Sequence, residues 1–549
     1  MKAKKKRVIP GFGLSMGVTI TILSLVVLIP LAALVIYTSR MHLSDIIETI
    51  TRPRVLASFK VTFLTSLIAS IINSIMGVIL AWVLVRYDFP FKRVLDGMIE
   101  LPFALPTAVA GLALTNLTTE EGLIGKLFAP FGIKIAHTRI GIVVALIFIG
   151  IPFVVRAVQP VLEKLDPSYE EAAGALGANR GTIFRKVILP EIIPPALTGF
   201  GLALGRCIGE YGSVIFIAGN KPYETEITPL IIMSELQDFD YNSATAIALV
   251  MLAFSFAILF IVNLIQARNT KILKEEDSMQ KNEGSKVVKW ILIAVSVLFA
   301  FVFLILPLYT VISVALRNGG GKYFRYITDK DTISAVKLTA KATLSALVVN
   351  TFFGLFAAWF LTMFRFKGKK VLTTLIDIPV TVSPVIAGLI FILVFGRQSV
   401  LYPYLQQAGI KVVFAVPGII LATIFVTFPF ISREIIPILE EQGTEEEAAA
   451  LMGASGFTIF RKVTFPHIKW ALLYGVVLCT ARAMGEFGAV SVLSGHLRGK
   501  TNTLPLQVEI LFGDNKYVPA FAVASILVIL AVIILIIRSI VEYKGKKAE

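Results

Sequence analysis

The sequence is poor in the residues from which disulfide frameworks, metal centres and hydrolytic sites are built. It has two cysteines and four histidines in 549 residues, and 16% of its residues are charged. The cysteines are too few for a disulfide framework, and no spacing typical of metal ligands occurs. No nucleophile, base and metal ligand cluster at one membrane face, so we expect no metal, cofactor or catalytic residue. The residues concerned are Cys207, Cys479, His42, His137, His467 and His496.

A phosphate-binding loop for ATP is also missing. The segment GKT at 499–501 imitates the end of such a loop, but the motif G-x-x-x-x-G-K-[ST] requires glycine at position 494. This chain has Ser494 there, and Gly495 lies one residue too close to the lysine. The chain is therefore predicted not to hydrolyse ATP on its own.

Apolar residues, by contrast, are abundant. They make up 56% of the chain, and the mean hydropathy is +0.82, well above the range of soluble globular proteins. A helix needs roughly 20 mostly apolar residues to cross a bilayer. We predict an all-α integral membrane protein with about 12 transmembrane helices. The predicted spans are 14–38, 60–85, 97–117, 139–161, 192–217, 243–267, 288–316, 333–364, 371–396, 412–438, 468–492 and 518–541.

Basic residues give a net charge of +16 and lie in clusters that border the spans, such as RYDFPFKR and FRFKGKK. This placement indicates contact with anionic lipid headgroups rather than with nucleic acid. The N-terminal KAKKKR and the apolar run after it look like a signal peptide. The run continues to Tyr37 without a clear small-residue cleavage site, which favours a retained first span. Most lysines and arginines outside the spans lie on the side of the N-terminus, so both termini are predicted to be cytoplasmic.

The two halves of the sequence repeat each other at an offset of about 276 residues. Residues 170–190 and 446–466 are identical at 13 of 21 positions. Each half has an even number of spans, so both copies run in the same direction and a pseudo-two-fold axis along the membrane normal is expected. We predict a first half at 1–268, a polar cytoplasmic linker at 269–287 and a second half at 288–549.

The two halves are most similar in one segment, which reads EEAAGALGANRGTIFRKV from Glu170 and EEEAAALMGASGFTIFRKV from Glu445. Both are predicted to lie in the cytoplasmic loop between the fourth and fifth spans of their half. The spacings S-x-x-E at 168–171 and T-x-x-E at 444–447 predict capping boxes, and the following glycines predict C-caps. A helix of two turns is too short to be stable alone, so a partner surface is expected. The alternative is that these loops only connect spans.

The pattern E-A-A, three residues, Gly, nine residues, an aliphatic, one residue and an apolar-Pro pair resembles the EAA loop of ABC importer permeases. Val187 and Val463 stand where that family often has Ile, and Phe465 replaces the usual Leu. The resemblance implies a fold like that of type I ABC importer permeases and two copies of an ABC ATPase subunit, which bind ATP and Mg and receive the two loops. The implied coupling residues are Glu170, Glu171, Ala172, Ala173, Gly177, Phe184, Arg185, Glu446, Glu447, Ala448, Ala449, Gly453, Phe460 and Arg461.

Two further segments sharpen this resemblance. GRCIGEYGSVIFIAG at 205–219 resembles the T-type sulfate/thiosulfate permease, and ARAMGEFGAVSVLSG at 481–495 resembles the W-type partner. The chain thus resembles both permeases fused, which implies import of sulfate or thiosulfate across the cytoplasmic membrane with an extracytoplasmic sulfate-binding protein. Molybdate permeases share the GE-[YF]-G element, so molybdate or tungstate import is the runner-up, followed by ferric-iron permeases. An ion-gradient-driven anion carrier would need no ATPase, and the paired EAA loops argue against it.

Charged pairs are predicted inside the fifth and eleventh spans, where ionisable groups are costly. Arg206 and Glu210 are four residues apart, as are Arg482 and Glu486. In one interpretation the arginines line an anion pathway. In the other interpretation, each arginine and glutamate form an ion pair within one helix, their charges cancel, and the pair serves only the packing of helices. The third and ninth spans each contain two prolines, in ELPFALPTAVAG and DIPVTVSPVIAG, which predict either pathway walls or simple kinks.

Overall fold

The computed structural model describes residues 12–166, 168–269, 286–364, 366–441 and 445–548. These residues form helices and connecting loops, and no strand occurs among them. The first half contains α1 Phe12–Leu23, α2 Ile29–Thr38, α3 Leu43–Thr51, α4 Pro53–Arg86, α5 Lys92–Met98, α6 Leu101–Ala104, α7 Thr107–Thr118, α8 Leu123–Phe128, α9 Arg139–Glu163, α10 Ser168–Ala175, α11 Arg180–Ile183, α12 Leu189–Ile208, α13 Val214–Ile217, α14 Thr228–Gln237 and α15 Tyr241–Asn269.

The second half repeats this order closely. It contains α16 Lys286–Ala300, α17 Leu306–Ala315, α18 Gly320–Ile327, α19 Lys330–Met363, α20 Lys369–Thr381, α21 Pro384–Phe395, α22 Tyr402–Gln407, α23 Val416–Thr427, α24 Phe430–Glu441, α25 Glu445–Leu451, α26 Gly456–Ile459, α27 Phe465–Met484, α28 Gly488–Ser494, α29 Leu504–Gly513 and α30 Tyr517–Ala548. Short π-helical segments occur at equivalent places in both halves, at Ser24–Leu28 and Phe301–Ile305, and at Phe184–Ile188 and Phe460–Thr464.

Each π-helical segment ends two residues before a proline. At Phe184–Ile188 the amide of Leu189 donates to the carbonyl of Phe184, and Pro190 follows. Proline has no N–H to continue the regular ladder, and a π-turn lets the helix continue through such a site. The same local sequence therefore produces the same irregularity in both halves.

Among the described residues, ten helical stretches are long and apolar enough to cross a membrane. Two further pairs of helices meet at bends of 109° and 106°, at the predicted third and ninth spans. The prediction of about 12 spans is matched when each bent pair counts as one, and the predicted all-α membrane fold is confirmed. The bends fall at Pro106 and Pro384, where proline disfavours a continuous helix.

Two predicted spans are placed differently by the structure. The fifth was predicted at 192–217, but the helix runs from Arg180 to Ile208; the eleventh was predicted at 468–492, but the helix runs from Gly456 to Met484. Both helices begin earlier because they include the charged stretches 184–186 and 460–462, each Phe-Arg-Lys. A prediction based on hydropathy excludes such charged residues from a span. Both end earlier because the chain breaks at a glycine that is followed by the short helix α13 or α28.

The halves interlock through their first helices. In the first half α1 packs against α19 and α2 against α21, whereas α16 packs against α4 and α17 against α7. Each half is thus completed by helices from the other. The boundaries at 268 and 288 stay a prediction, because linker residues 270–285 lie outside the described residues. Pro167 and Thr444 lie outside them as well, as does the side chain of Glu447.

Candidate functional site

The two EAA segments, residues 168–188 and 445–464, lie at the same end of the helical bundle, which we call the EAA end. Each starts with a short helix, α10 or α25, and each helix ends at a glycine with positive φ, +83° at Gly177 and +85° at Gly453. The amide of Gly177 donates to the carbonyl of Gly174, and the next amide donates to the carbonyl of Ala173. This pair of bonds is a Schellman cap. The N-terminal prediction differs in detail, because Ser168 lies in the first turn and its amide donates to Asp166.

The apolar tips of the EAA segments were missed by sequence reasoning. Leu176 and Met452 occupy equivalent positions just before the two glycines, and each is 89% exposed. Two of the implied coupling residues, Phe184 and Phe460, are not at the tips. Phe184 packs against Trp82 at 5.5 Å and Phe460 against Trp359 at 6.2 Å between ring centroids. The aromatic rings therefore hold the segments to the spans, and the aliphatic tips face outwards. Of the other predicted coupling residues, Glu171, Ala172, Arg185, Ala448 and Arg461 are exposed, and Ala173 and Ala449 are half-buried.

The two EAA segments are anchored differently. Glu170 forms an ion pair with Arg86 at the end of α4, and both side chains are largely buried. At the position equivalent to Arg86 the second half has Met363. The equivalent glutamate, Glu446, is 2% exposed and accepts a hydrogen bond from Thr464 at 3.3 Å. Burial raises the pKa of the Glu446 carboxyl above its ordinary value, and the hydrogen bond partly opposes this shift.

A cavity of about 670 Å³ lies between the halves. Its walls come from both copies of the repeat and include the prolines of both bent pairs, which supports the interpretation of these segments as pathway walls. The acidic and basic side chains that line it are Glu100, Arg156, Arg206, Arg433, Glu434 and Arg482. No group of three or more metal-ligating residues is found in the described part of the chain. The cavity presents basic and acidic side chains from both halves to its interior.

Both predicted Arg–Glu pairs form, but each glutamate lies two residues past the end of its helix rather than inside the span. The two arginines line this cavity. Arg206 Nη1 lies 2.6 Å from Glu210 Oε2, and the equivalent Arg482–Glu486 distance is 2.7 Å. The glutamate side chains are 1% exposed, whereas the arginine side chains are 15% and 17% exposed. The cavity therefore meets the guanidinium groups and not the carboxylates.

The glutamates are held from behind by the short helices that follow. Glu210 Oε1 accepts from the amide of Ser213 at 2.9 Å and from its hydroxyl at 3.1 Å. Glu486 Oε1 accepts from the amide of Ala489 at 3.0 Å. Each carboxylate thus binds an arginine with one oxygen and the start of a helix with the other, which fixes the geometry of the pair.

The ends of the long helices touch the broken spans of the opposite half. A Cβ on Gly209 would lie 3.1 Å from Cα of Ser383, and a Cβ on Gly485 would lie 3.1 Å from Cα of Pro106. Beyond these contacts the buried rings of Tyr211 and Phe487 stack across the halves, with centroids 5.7 Å apart. The stack follows Arg206 and Arg482 in the chain and lies between the two halves, away from the EAA end.

A cluster of buried charges joins the halves near the EAA end of the cavity, and sequence reasoning missed it. Glu100 binds Arg156 of its own half, with Arg156 Nε 2.6 Å away, and it also binds Arg538 of α30. Arg538 Nε donates to the hydroxyl of Tyr474 at 2.9 Å. The equivalent of Glu100 in the other half is Asp377, and among the described residues its ion-pair partner is the half-exposed Arg433. We call Glu100, Arg156, Arg538 and Tyr474 the cross-half cluster.

Comparison with known proteins places this geometry in context. The family model for a "Binding-protein-dependent transport system inner membrane component" matches residues 73–271 and 350–547. The chain is 49% identical over 268 residues to the "Sulfate transport system permease protein CysT" of Salmonella typhimurium, covering 49% of this chain and 97% of that protein. It is 43% identical over 278 residues to the "Sulfate transport system permease protein CysW" of Escherichia coli K12, covering 50% and 94%.

Each of these relatives is about half as long as the chain, which is consistent with two permeases joined in one polypeptide. Among solved structures, a bacterial alginate ABC transporter in complex with an alginate pentasaccharide-bound periplasmic protein is 20% identical. The alignment covers 44% of this chain and 88% of that chain, with a TM-score of 0.38.

Proposed function

The chain belongs to the family of binding-protein-dependent transport system inner membrane components, and from this premise we propose that it is the permease of an ATP-driven importer for sulfate or thiosulfate. As a multi-pass inner membrane protein with two copies of the family domain, it forms both halves of the transport pathway. The relatives named as sulfate transport system permease proteins support this choice of substrate. ATP and Mg would be bound by separate ATPase subunits.

The observation that carries the coupling part of the proposal is the pair of exposed apolar tips at one end of the bundle. Leu176 and Met452 are each 89% exposed, and they stand on capped helices related by the repeat. Burying one aliphatic side chain of this size contributes about 1.5–3 kcal/mol. Two such tips would fit one groove on each of two identical ATPase subunits, which supports a cytoplasmic EAA end.

A movement of the tips has a direct route to the cavity. The helix Arg180–Ile208 runs from the first EAA segment to Arg206, and Gly456–Met484 runs from the second to Arg482. At about 1.5 Å per residue each helix is roughly 40 Å long. A displacement of the tip would therefore be transmitted along the helix to the arginine. When the ATPase subunits close together, the two helices would move with the tips and open the pathway alternately to the two sides of the membrane.

The test is uptake of labelled sulfate by proteoliposomes that contain the chain, its ATPase and its binding protein. We expect uptake that requires ATP, and we expect the double variant Leu176→Asp, Met452→Asp to lower it at least about tenfold, because charged tips cannot enter an apolar groove. Phe91→Asp is the matched control, since Phe91 is 81% exposed near the same end but lies outside the EAA segments. Normal uptake in the double variant would rule out coupling through the tips.

Competition decides the substrate in the same vesicles. Thiosulfate should compete with sulfate at similar concentrations if both are substrates. Inhibition by molybdate at far lower concentrations would instead identify the runner-up, a molybdate or tungstate permease. Uptake that persists without the ATPase or without ATP would refute the ATP-driven mechanism and favour an ion-gradient-driven carrier.

A further inference from the structure

We propose that Arg206 and Arg482, with the N-terminal ends of α21 and α7, form a binding site for one tetrahedral dianion on the side of the cavity away from the EAA end. The inference rests on the proposed function, because it assigns the place where the transported anion pauses. It gives the two arginines a role beyond packing the helices on which they lie.

The first step is the exposure of the paired groups. In each ion pair the guanidinium group faces the cavity, because the side chains of Glu210 and Glu486 are 1% exposed whereas those of their arginines are 15–17% exposed. Arginine carries five N–H donors. Among the described residues no second hydrogen-bond partner is found for either guanidinium. Both arginines therefore keep donors that point to an accessible space rather than to protein acceptors.

The second step is the pairing of each arginine with a helix end from the opposite half. Gly209, three residues after Arg206, contacts Ser383 just before α21, and Gly485, three residues after Arg482, contacts Pro106 just before α7. Both α7 and α21 are 12 residues long. The N-terminal end of a helix carries about half a positive charge. Two arginines and two helix ends thus surround the same space in a pseudo-symmetric way.

The third step concerns the class of ligand. A guanidinium fork matches the oxygens of a tetrahedral oxyanion, and two forks related by a pseudo-two-fold axis match an anion with two charges. The carboxylate behind each arginine neutralises part of its charge and limits how tightly the anion is held. A site on a transport route needs this balance, because the ion must also leave.

The other arginines of the cavity are less suited to the role. Arg156 is held by Asp96 and Glu100, and Arg433 is held by Asp377. The side chains of Asp96 and Asp377 are themselves 38% and 27% exposed. An anion that approaches these arginines meets exposed carboxylates, whereas at Arg206 and Arg482 the carboxylates are shielded.

The experiment removes the charges in neutral pairs, because deleting an arginine alone would leave a buried carboxylate uncompensated. The quadruple variant Arg206→Met, Glu210→Gln, Arg482→Met, Glu486→Gln keeps the volume and the neutrality of both sites. The matched control is the double variant Arg433→Met, Asp377→Asn, which removes another arginine–carboxylate pair at the same cavity. Size-exclusion elution and the unfolding temperature establish that both variants fold.

We expect the quadruple variant to lose at least about tenfold in ATP-dependent sulfate uptake, while ATPase stimulation by the sulfate-loaded binding protein persists and the control stays within about twofold of the unaltered protein. Normal uptake in the quadruple variant would overturn the site. Loss of ATPase stimulation together with uptake in that variant would also overturn it, because the defect would then lie in coupling.

A second measurement does not depend on transport. The unfolding temperature of the solubilised chain is compared in sodium sulfate and in sodium perchlorate at equal ionic strength. Binding to the folded state should raise it in sulfate, and the rise should be about 2 °C or more greater in the unaltered protein than in the quadruple variant. Equal rises in both proteins would refute the site, even if reconstituted uptake failed for other reasons.

Discussion

Replacing Arg538 by methionine should destabilise the folded chain measurably, because Arg538 holds a buried carboxylate of the other half. Arg538 and Glu100 are each 6% exposed. Removing one partner of a buried ion pair typically costs 3–5 kcal/mol. Here the lower end applies, about 3 kcal/mol, since Arg156 still lies 2.6 Å from Glu100. For 549 residues the entropy of unfolding is about 1.2 kcal/mol/K, so the unfolding temperature should fall by about 2–3 °C.

The assay is thermal unfolding of the solubilised protein, with two comparisons. In the double variant Arg538→Met, Glu100→Gln most of the loss should be recovered, because no buried carboxylate is left uncompensated; Arg156 keeps Asp96 at 2.8 Å. Asp377→Asn breaks the half-exposed pair of the other half and should cost about 1 kcal/mol or less. An unchanged unfolding temperature in Arg538→Met, or a double variant less stable than the single one, would refute the reasoning.

Two further predictions concern the unequal anchoring of the EAA segments. Arg86→Met should speed amide hydrogen exchange in α10 about tenfold or more and leave α25 unchanged, because in the described part of the chain this ion pair belongs to the first segment alone. Unchanged exchange in α10 would mean that the ion pair does not stabilise this helix. Burial raises the pKa of Glu446, so its contribution to stability is complete below about pH 4.3 and declines as pH rises through the raised value. Glu446→Gln should therefore show a smaller fall in unfolding temperature between about pH 5 and 8, and a variant with the full fall would contradict this.

Much of the architecture follows from patterns that are local in sequence. The direct repeat, the breaks in the third and ninth spans and the glycine caps depend on apolar runs, on prolines and on Gly177 and Gly453. Each of these features acts within a few residues, so the sequence was sufficient to predict it. The predicted positions of Arg206 and Arg482 in a shared environment also depended only on the repeat.

Contacts between the halves could not be predicted from such local patterns. Glu100 and Arg538 are 438 residues apart, and the repeat gives no hint of the pair because the second half offers Asp377 a different partner. The early start of the helix at Arg180 was missed for another reason. Its first turns are charged, and Phe184 holds them to the span by packing against Trp82, a contact that hydropathy does not register.

The packing of α1 on α19 has a consequence for how the protein is made. About 320 residues separate the two helices, and at about 5–20 residues per second the ribosome needs roughly 15 to 60 s to synthesise them. During that time α1 and α2 have entered the membrane without their partners α19 and α21. By contrast α16 and α17 find α4 and α7 already in place. The first helices of the chain therefore remain in the lipid without their partner helices while the rest is translated. The packing of both halves is complete only after the second half has been synthesised.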